Sequence, residues 1–276
     1  MDIQALIAAA LSEDLGEQGD ITTSLLISPQ LQGRAQIIAK SDGVLCGANL
    51  VCQIGRAIDP NIIIQPLVMD EAAFKVGDVV LTFEGAIDSI LKTERTALNF
   101  LGHLSGIASL TCAYVQRVAH TQAKILDTRK TTPGLRSLEK YDVYCGGAMN
   151  HRRGLWDMIL VKENHLAQWQ RPLSELMPMI RQKYPRQIVE IEVQTLAQLA
   201  ELLPTKPSRV LLDHFSLSDM TQAVAMAKGS GVLLEASGNV SLETVQSIAE
   251  TGVDFISVGA LTHSAPCSDF SLLVVS

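Results

Sequence analysis

The chemistry of this chain is concentrated in ten residues, Asp127-Thr128-Arg129-Lys130-Thr131-Thr132-Pro133-Gly134-Leu135-Arg136, which follow the apolar run Ala123-Lys124-Ile125-Leu126. Arg129 and Lys130 stand side by side where a strand should end, and Pro133-Gly134 forces a turn behind them, so their heads are presented on a rigid rim. This is the outline of an anion site. The plainer alternative is a solvated basic loop, which is what most charge clusters amount to. The segment downstream separates the two. From Glu139 to Leu155 the chain carries Gly146-Gly147, which permits tight backbone, and then His151-Arg152-Arg153, which adds donors to Arg129 and Lys130. Several rigid forks around one pocket suit a small molecule with more than one carboxylate.

Acidic candidates come later. Lys162, Glu192 and Asp213 each close an apolar run. The two carboxylates are suited to holding Mg²⁺, to accepting hydrogen bonds from sugar hydroxyls, or to stabilising a developing positive charge. The structural alternatives are an ion pair between Glu192 and a lysine, and a helix cap for Asp213 next to Phe215-Ser216. Glu235-Ala236-Ser237-Gly238-Asn239 and Ser257-Val258-Gly259-Ala260 end the last two apolar runs and suit phosphate binding through backbone N–H groups. Cys145 and His165 invite a nucleophilic reading, but no third partner is visible for them.

The elements that must position these groups follow from periodicity. Apolar runs at 125–127, 158–162, 188–193, 210–213, 232–237 and 255–259 alternate with helical patterns, which predicts repeated βα units and a parallel sheet. The expected fold is α/β: a (β/α) barrel, incomplete, over 106–264, with an N-terminal α+β open-sandwich domain over 1–105 that the segment 265–276 joins. Chemistry then belongs at the C-terminal strand ends, where Arg129, Lys130, Lys162, Glu192, Asp213, Ser237 and Gly259 fall. Helix starts are expected at Ser216-Leu217-Ser218-Asp219 and at Ser241. In the N-terminal part the pattern predicts a helix from residue 3 to about 15, a hairpin of 33–40 with 45–47, a helix over 48–58, and strands near 62–64 and 79–85. From Asp88 to His120 two helices are expected, broken near Ser105-Gly106. Arg95 reads from periodicity as a surface ion-pair residue.

With 276 residues, 47% of them hydrophobic, the chain is ample for a barrel and a satellite domain. A net charge of -7 argues against a nucleic-acid or anionic-membrane partner. The five scattered cysteines lack C-x-x-C spacing, which points to reduced thiols in the cytoplasm. No apolar run approaches the roughly 18 residues a membrane span needs.

The runs D-T-R-K-T-T-P-G-L-R, E-K-Y, C-G-G, N-H-R-x-G-L-x-D and K-x-N-H, with Glu13-Asp14-Leu15-Gly16 and Thr262-His263-Ser264 at the two ends, closely resemble the quinolinate phosphoribosyltransferases, also called nicotinate-nucleotide pyrophosphorylases (carboxylating). The resemblance implies transfer of phosphoribose from 5-phosphoribosyl 1-pyrophosphate (PRPP) to quinolinate with Mg²⁺ and loss of carbon dioxide, in NAD biosynthesis. By motif it implies that Arg129, Lys130, His151, Arg152 and Lys162 surround quinolinate, with Lys130 beside the departing carboxylate. Glu192 and Asp213 would serve the ribose and the metal, and Ser237, Gly238, Asn239 and Gly259 the 5′-phosphate. Arg95, in T-E-R-T-A-L-N, would reach the partner's site in a homodimer. Three departures stand out: Ala148 for a third glycine, His214 where asparagine is frequent, and Asn239 for a glycine. The alternatives are the molybdenum-transport-associated relative of the same fold, which shares D-T-R-K-T-x-P-G, and a non-catalytic metabolite-binding barrel.

Overall fold

The computed structural model describes residues 2–275. Its strands in chain order are β1 (Gln32–Ala39), β2 (Gly43–Val44), β3 (Ile63–Pro66), β4 (Ala73–Phe74), β5 (Val79–Ala86), β6 (Lys124–Leu126), β7 (Ile159–Val161), β8 (Val189–Val193), β9 (Arg209–Asp213), β10 (Leu233–Ser237), β11 (Phe255–Ser257) and β12 (Phe270–Val275). Two compact units result. One comprises Met1–Cys112, Thr132–Gly147 and Ala265–Ser276, the other Ala113–Thr131 and Ala148–Ser264.

The first unit holds an antiparallel sheet of order β12-β1-β5-β3. Its buried face alternates along β1, where Ala35, Ile37 and Ala39 are buried, as period-2 geometry requires. They join Leu81, Phe83, Ile90 and Leu101 in one core. The expected hairpin does not form. β1 pairs with β5 and β12, whereas β2 turns away after Asp42-Gly43 and pairs with β4. The expected helix break is also absent, because Ile87–Val118 is one helix. Gly106 does not interrupt it; a Cβ there would lie 2.1 Å from the Pro266 carbonyl oxygen, so glycine permits close approach of the C-terminal segment. By length and composition this helix passes as a membrane span, contrary to the sequence expectation, yet more than half of the stretch is buried within the protein.

The second unit is a parallel sheet of order β6-β11-β10-β9-β8-β7. That is the circular order of a βα-barrel opened between its first two strands, and Met149 bridges in parallel to Leu126 on the free edge of β6. All five residues of β8 are buried, as expected of a parallel strand covered on both faces. Helix Leu217–Ala227 starts where predicted, with the Ser216 side chain accepting the Asp219 N–H. The start expected at Ser241 falls later: the helix is Val245–Glu250, preceded by a turn in which Thr244 Oγ1 accepts the Ser241 N–H.

Candidate active site

The C-terminal ends of the barrel strands open into a cavity of about 640 Å³ in the second unit, within the range of small-molecule sites. Arg129, Lys130, His151, Arg152, Lys162, Glu192, Asp213, Ser237, Gly238, Asn239 and Gly259 all line it. The register explains the rim: Ser237 of β10 stands opposite Asp213 of β9, while Glu192 lies near the end of β8. Arg95 does not line it; it is exposed on helix Ile87–Val118 and makes no ion pair among the described residues, so the surface-pair reading fails. Arg136, the last cation of the opening loop, begins helix Arg136–Cys145 in the first unit.

The basic wall is built from below. Asp127, fully buried, accepts the Asn150 side-chain amide at 2.8 Å and the His151 N–H at 2.7 Å, tying the N-H-R motif to the end of β6. Arg152 is buried and donates from Nη1 to the Met158 carbonyl at 3.2 Å. Burial first, and then the neighbouring Arg129 charge, push the Arg152 pKa down. The Arg129 Nε is itself buried with no hydrogen-bond partner among the described residues. Two guanidinium groups that repel one another, one with an unsatisfied N–H, make a strong anion sink.

Lys130 is held by its backbone. Its N–H meets Thr128 Oγ1 at 3.0 Å, and its carbonyl accepts the Thr262 hydroxyl at 2.7 Å. Gly259 makes room for its stem, since a Cβ there would lie 3.0 Å from Lys130 Cδ.

On the acidic side, Glu192 Oε1 accepts the Glu163 N–H at 3.2 Å, and its Oε2 is 3.9 Å from Lys162 Nζ. The lysine pairing is thus present but long, with Lys162 half exposed, and adds little stability. Asp213 is no helix cap, since Ser216 performs that task. Glu192 and Asp213 offer only oxygen donors, the type a hard divalent cation takes, and so fit Mg²⁺.

Two departures from the family pattern are absorbed by local conformation. Asn239 (φ 49°) and His214 (φ 56°) both adopt left-handed backbone, which asparagine tolerates well and histidine tolerates better than most. Gly238 (φ 103°) lies so close to the His214 ring that a Cβ would be 2.6 Å from Nδ1. Ala148 lies outside the left-handed region, so its methyl introduces no strain there.

A buried layer beneath the cavity was missed in the sequence. His151 Nε2 is 2.9 Å from Glu190 Oε2 and 3.5 Å from Glu235 Oε1, and Arg209 pairs with the other Glu235 oxygen. Burial opposes protonation of His151, but hydrogen bonds and charge from Glu190 and Glu235 outweigh it and push its pKa up to about 9. The Arg152 N–H donates to Nδ1 at 2.7 Å, so a second ring proton requires that contact to yield. One signal was available: in Val189-Glu190-Ile191-Glu192, period 2 puts both acids on one face of the strand. His214 and His263 also line the cavity. Cys145 and His165 form no nucleophilic pair: Cys145 is buried beside Cys46, and His165 Nδ1 accepts the Lys162 N–H.

Comparison with known proteins gives a consistent result. Residues 20–105 match the family described as quinolinate phosphoribosyl transferase, N-terminal domain, and residues 107–273 match its C-terminal domain. A nicotinate-nucleotide pyrophosphorylase [carboxylating] of Mycobacterium leprae is 40% identical, over 96% of this chain and 95% of its own length. A quinolinate phosphoribosyltransferase [decarboxylating] of Nicotiana glauca is 38% identical, over 99% of this chain and 82% of its own. The solved structure of the nicotinate-nucleotide pyrophosphorylase from Francisella tularensis superposes with a TM-score of 0.93 at 38% identity, covering 99% of this chain and 96% of that one.

Proposed function

The chain belongs to the quinolinate phosphoribosyltransferase family, and from that premise we propose how its cavity works: quinolinate and PRPP are joined with decarboxylation, giving nicotinate mononucleotide, pyrophosphate and carbon dioxide in NAD biosynthesis. The observation that carries the reading is the basic wall, in which Arg152 is pressed by Arg129 and the Arg129 Nε lacks a partner. A ligand with two adjacent carboxylates supplies the negative charge that the Arg129–Arg152 wall calls for, with His151, Lys130 and Lys162 around it. Nicotinate, with one carboxylate, leaves a buried cation unpaired, at a cost of about 2–5 kcal/mol.

The 5′-phosphate of PRPP lies in the turn of Ser237, Gly238 and Asn239, with Gly259 beside it. As the bond from ribose C1 to pyrophosphate breaks, positive charge builds on the ribose, and Glu192 and Asp213 stabilise it more strongly in the lower dielectric of the cavity than they would in water. Glu192 and Asp213 would hold Mg²⁺, which would supply neutralising positive charge for the pyrophosphate leaving group. The pyridine nitrogen takes the open C1. Its ring becomes a pyridinium, whose positive nitrogen stabilises the electron pair that stays on C2 when the adjacent carboxylate departs as carbon dioxide, and a proton then adds to that pair in place of the group. Lys130 stands at this carboxylate.

The protein acts as a cytoplasmic homodimer in which Arg95 enters the partner's cavity. The support is that Arg95 is an exposed, unpaired arginine in a motif that matches the family. The molybdenum-transport alternative is not favoured, because near-full-length relatives carry quinolinate transferase names. Incubation with quinolinate, PRPP and Mg²⁺ tests the reading by assay of nicotinate mononucleotide. A non-catalytic metabolite-binding barrel would bind quinolinate and form none.

A further inference from the structure

A second chemical cluster lies in the first unit and contains none of the residues that line the cavity. The Cys46 and Cys145 thiols adjoin each other, both buried, and their sulfur atoms and a carboxylate oxygen of Asp70 all lie within 4.8 Å of one another. Asp142, 0% exposed, accepts a hydrogen bond from Cys46 Sγ at 3.2 Å through Oδ1, while its Oδ2 is buried with no hydrogen-bond partner among the described residues. Buried thiols alone are ordinary small apolar fillers. A fully buried carboxylate oxygen without a donor is not ordinary, and it calls for a cation or a proton.

We propose that Cys46, Cys145 and Asp70, with Asp142 at their side, form a binding site for a thiophilic divalent cation of the Zn²⁺ class. Two sulfurs with carboxylate oxygen is a donor set that selects borderline-soft metals over Mg²⁺ or Ca²⁺. The supporting shell is in place. Asp70 Oδ1 is fixed by the N–H groups of Gly47 and Ala48, each at 3.0 Å, and its Oδ2 by the Tyr141 hydroxyl at 3.1 Å. Such partners orient a ligating carboxylate. The Cys46 backbone is pinned on both sides by Ser105, whose Oγ accepts its N–H at 3.0 Å and donates to its carbonyl at 3.1 Å. Asp70 is partly exposed and Tyr141 exposed, so the cluster has an entry side. The charges acting on Cys46, Cys145 and Asp142 include the acids Asp70, Glu71 and Glu139, a field that favours a cation. On binding, the two thiols lose their protons to solvent and the metal takes the sulfur electron pairs, with no change of oxidation state.

The test uses the whole protein, reduced and stripped with a chelator, titrated with Co²⁺ as the probe and then with Zn²⁺. The expected result is one Co²⁺ per chain with a thiolate-to-cobalt charge-transfer band, displaced by Zn²⁺. A cation held by Glu192 and Asp213 gives no such band, because oxygen ligands lack it. Cys46→Ser and Cys145→Ser each abolish the band, Cys52→Ser retains it, and Tyr141→Phe weakens affinity about tenfold. Should a serine variant misfold, alkylation of the wild-type protein decides: Zn²⁺ slows modification of Cys46 and Cys145 and leaves exposed Cys267 unaffected. Absence of the band and of this protection overturns the proposal, as does recovery of a Cys46–Cys145 disulfide in place of metal binding.

Discussion

At the scale of single residues, the proposed selectivity for quinolinate rests on Arg152 and its neighbour Arg129, which line the cavity together. Arg152→Ala is expected to weaken quinolinate binding roughly thirtyfold or more, equivalent to about 2 kcal/mol, and to leave PRPP binding within a few-fold. Calorimetric titration with each ligand checks this; equal losses for both would remove Arg152 from the carboxylate wall. At Gly238, φ is 103° and a Cβ would lie 2.6 Å from the His214 ring. Gly238→Ala should therefore raise the KM for PRPP with a smaller effect on that for quinolinate, as steady-state kinetics would show. His151 offers a pH test. Its folded pKa is raised, to about 9, above the ordinary histidine value of about 6.5. Its stabilising contribution is thus complete below about pH 6.5 and is lost as pH rises through about 9. Proton-detected titration of the ring should give the raised midpoint, and His151→Gln should flatten the loss of stability over that window. An ordinary midpoint would mean that the Arg152 N–H keeps Nδ1 unprotonated against the pull of the two acids.

At the scale of elements, the barrel strands were legible because each is a short apolar run closed by a polar or glycine residue. Their ends carried with them most of the predicted residues that line the cavity. The buried floor of Glu190, Glu235 and Arg209 was legible only in the alternation that puts Glu190 on the face of Glu192, because which distant acid meets His151 depends on strand register. The hairpin failed for a similar reason: β1 finds a partner in β12, more than two hundred residues away, and local turn chemistry says nothing of it. Gly106 was misread because glycine marks close approach as readily as a break. The two meanings predict opposite signs. If Gly106 were a break, Gly106→Ala would stabilise the protein by about 1 kcal/mol through helix propensity. With the Pro266 oxygen 2.1 Å from the added methyl, a loss of about 1–3 kcal/mol is expected instead. Urea unfolding reads the sign.

At the scale of the whole molecule, the homodimer reading turns on Arg95. Arg95→Ala and Lys130→Ala homodimers should each be nearly inactive. Mixing and reassembling them should restore roughly a quarter of the native sites, because half of the dimers are mixed and each of those has one intact cavity. Activity that never rises above that of either parent would place Arg95 in its own chain's function. The central claim is that one cavity couples phosphoribosyl transfer to the loss of one carboxylate from a dicarboxylated pyridine. The most direct measurement follows quinolinate labelled at the C2 carboxylate in the presence of PRPP and Mg²⁺. Labelled carbon dioxide and nicotinate mononucleotide should appear in equal amounts, with neither formed from nicotinate at a comparable rate. Tight quinolinate binding without release of label, or nucleotide formation that retains the label, would contradict it.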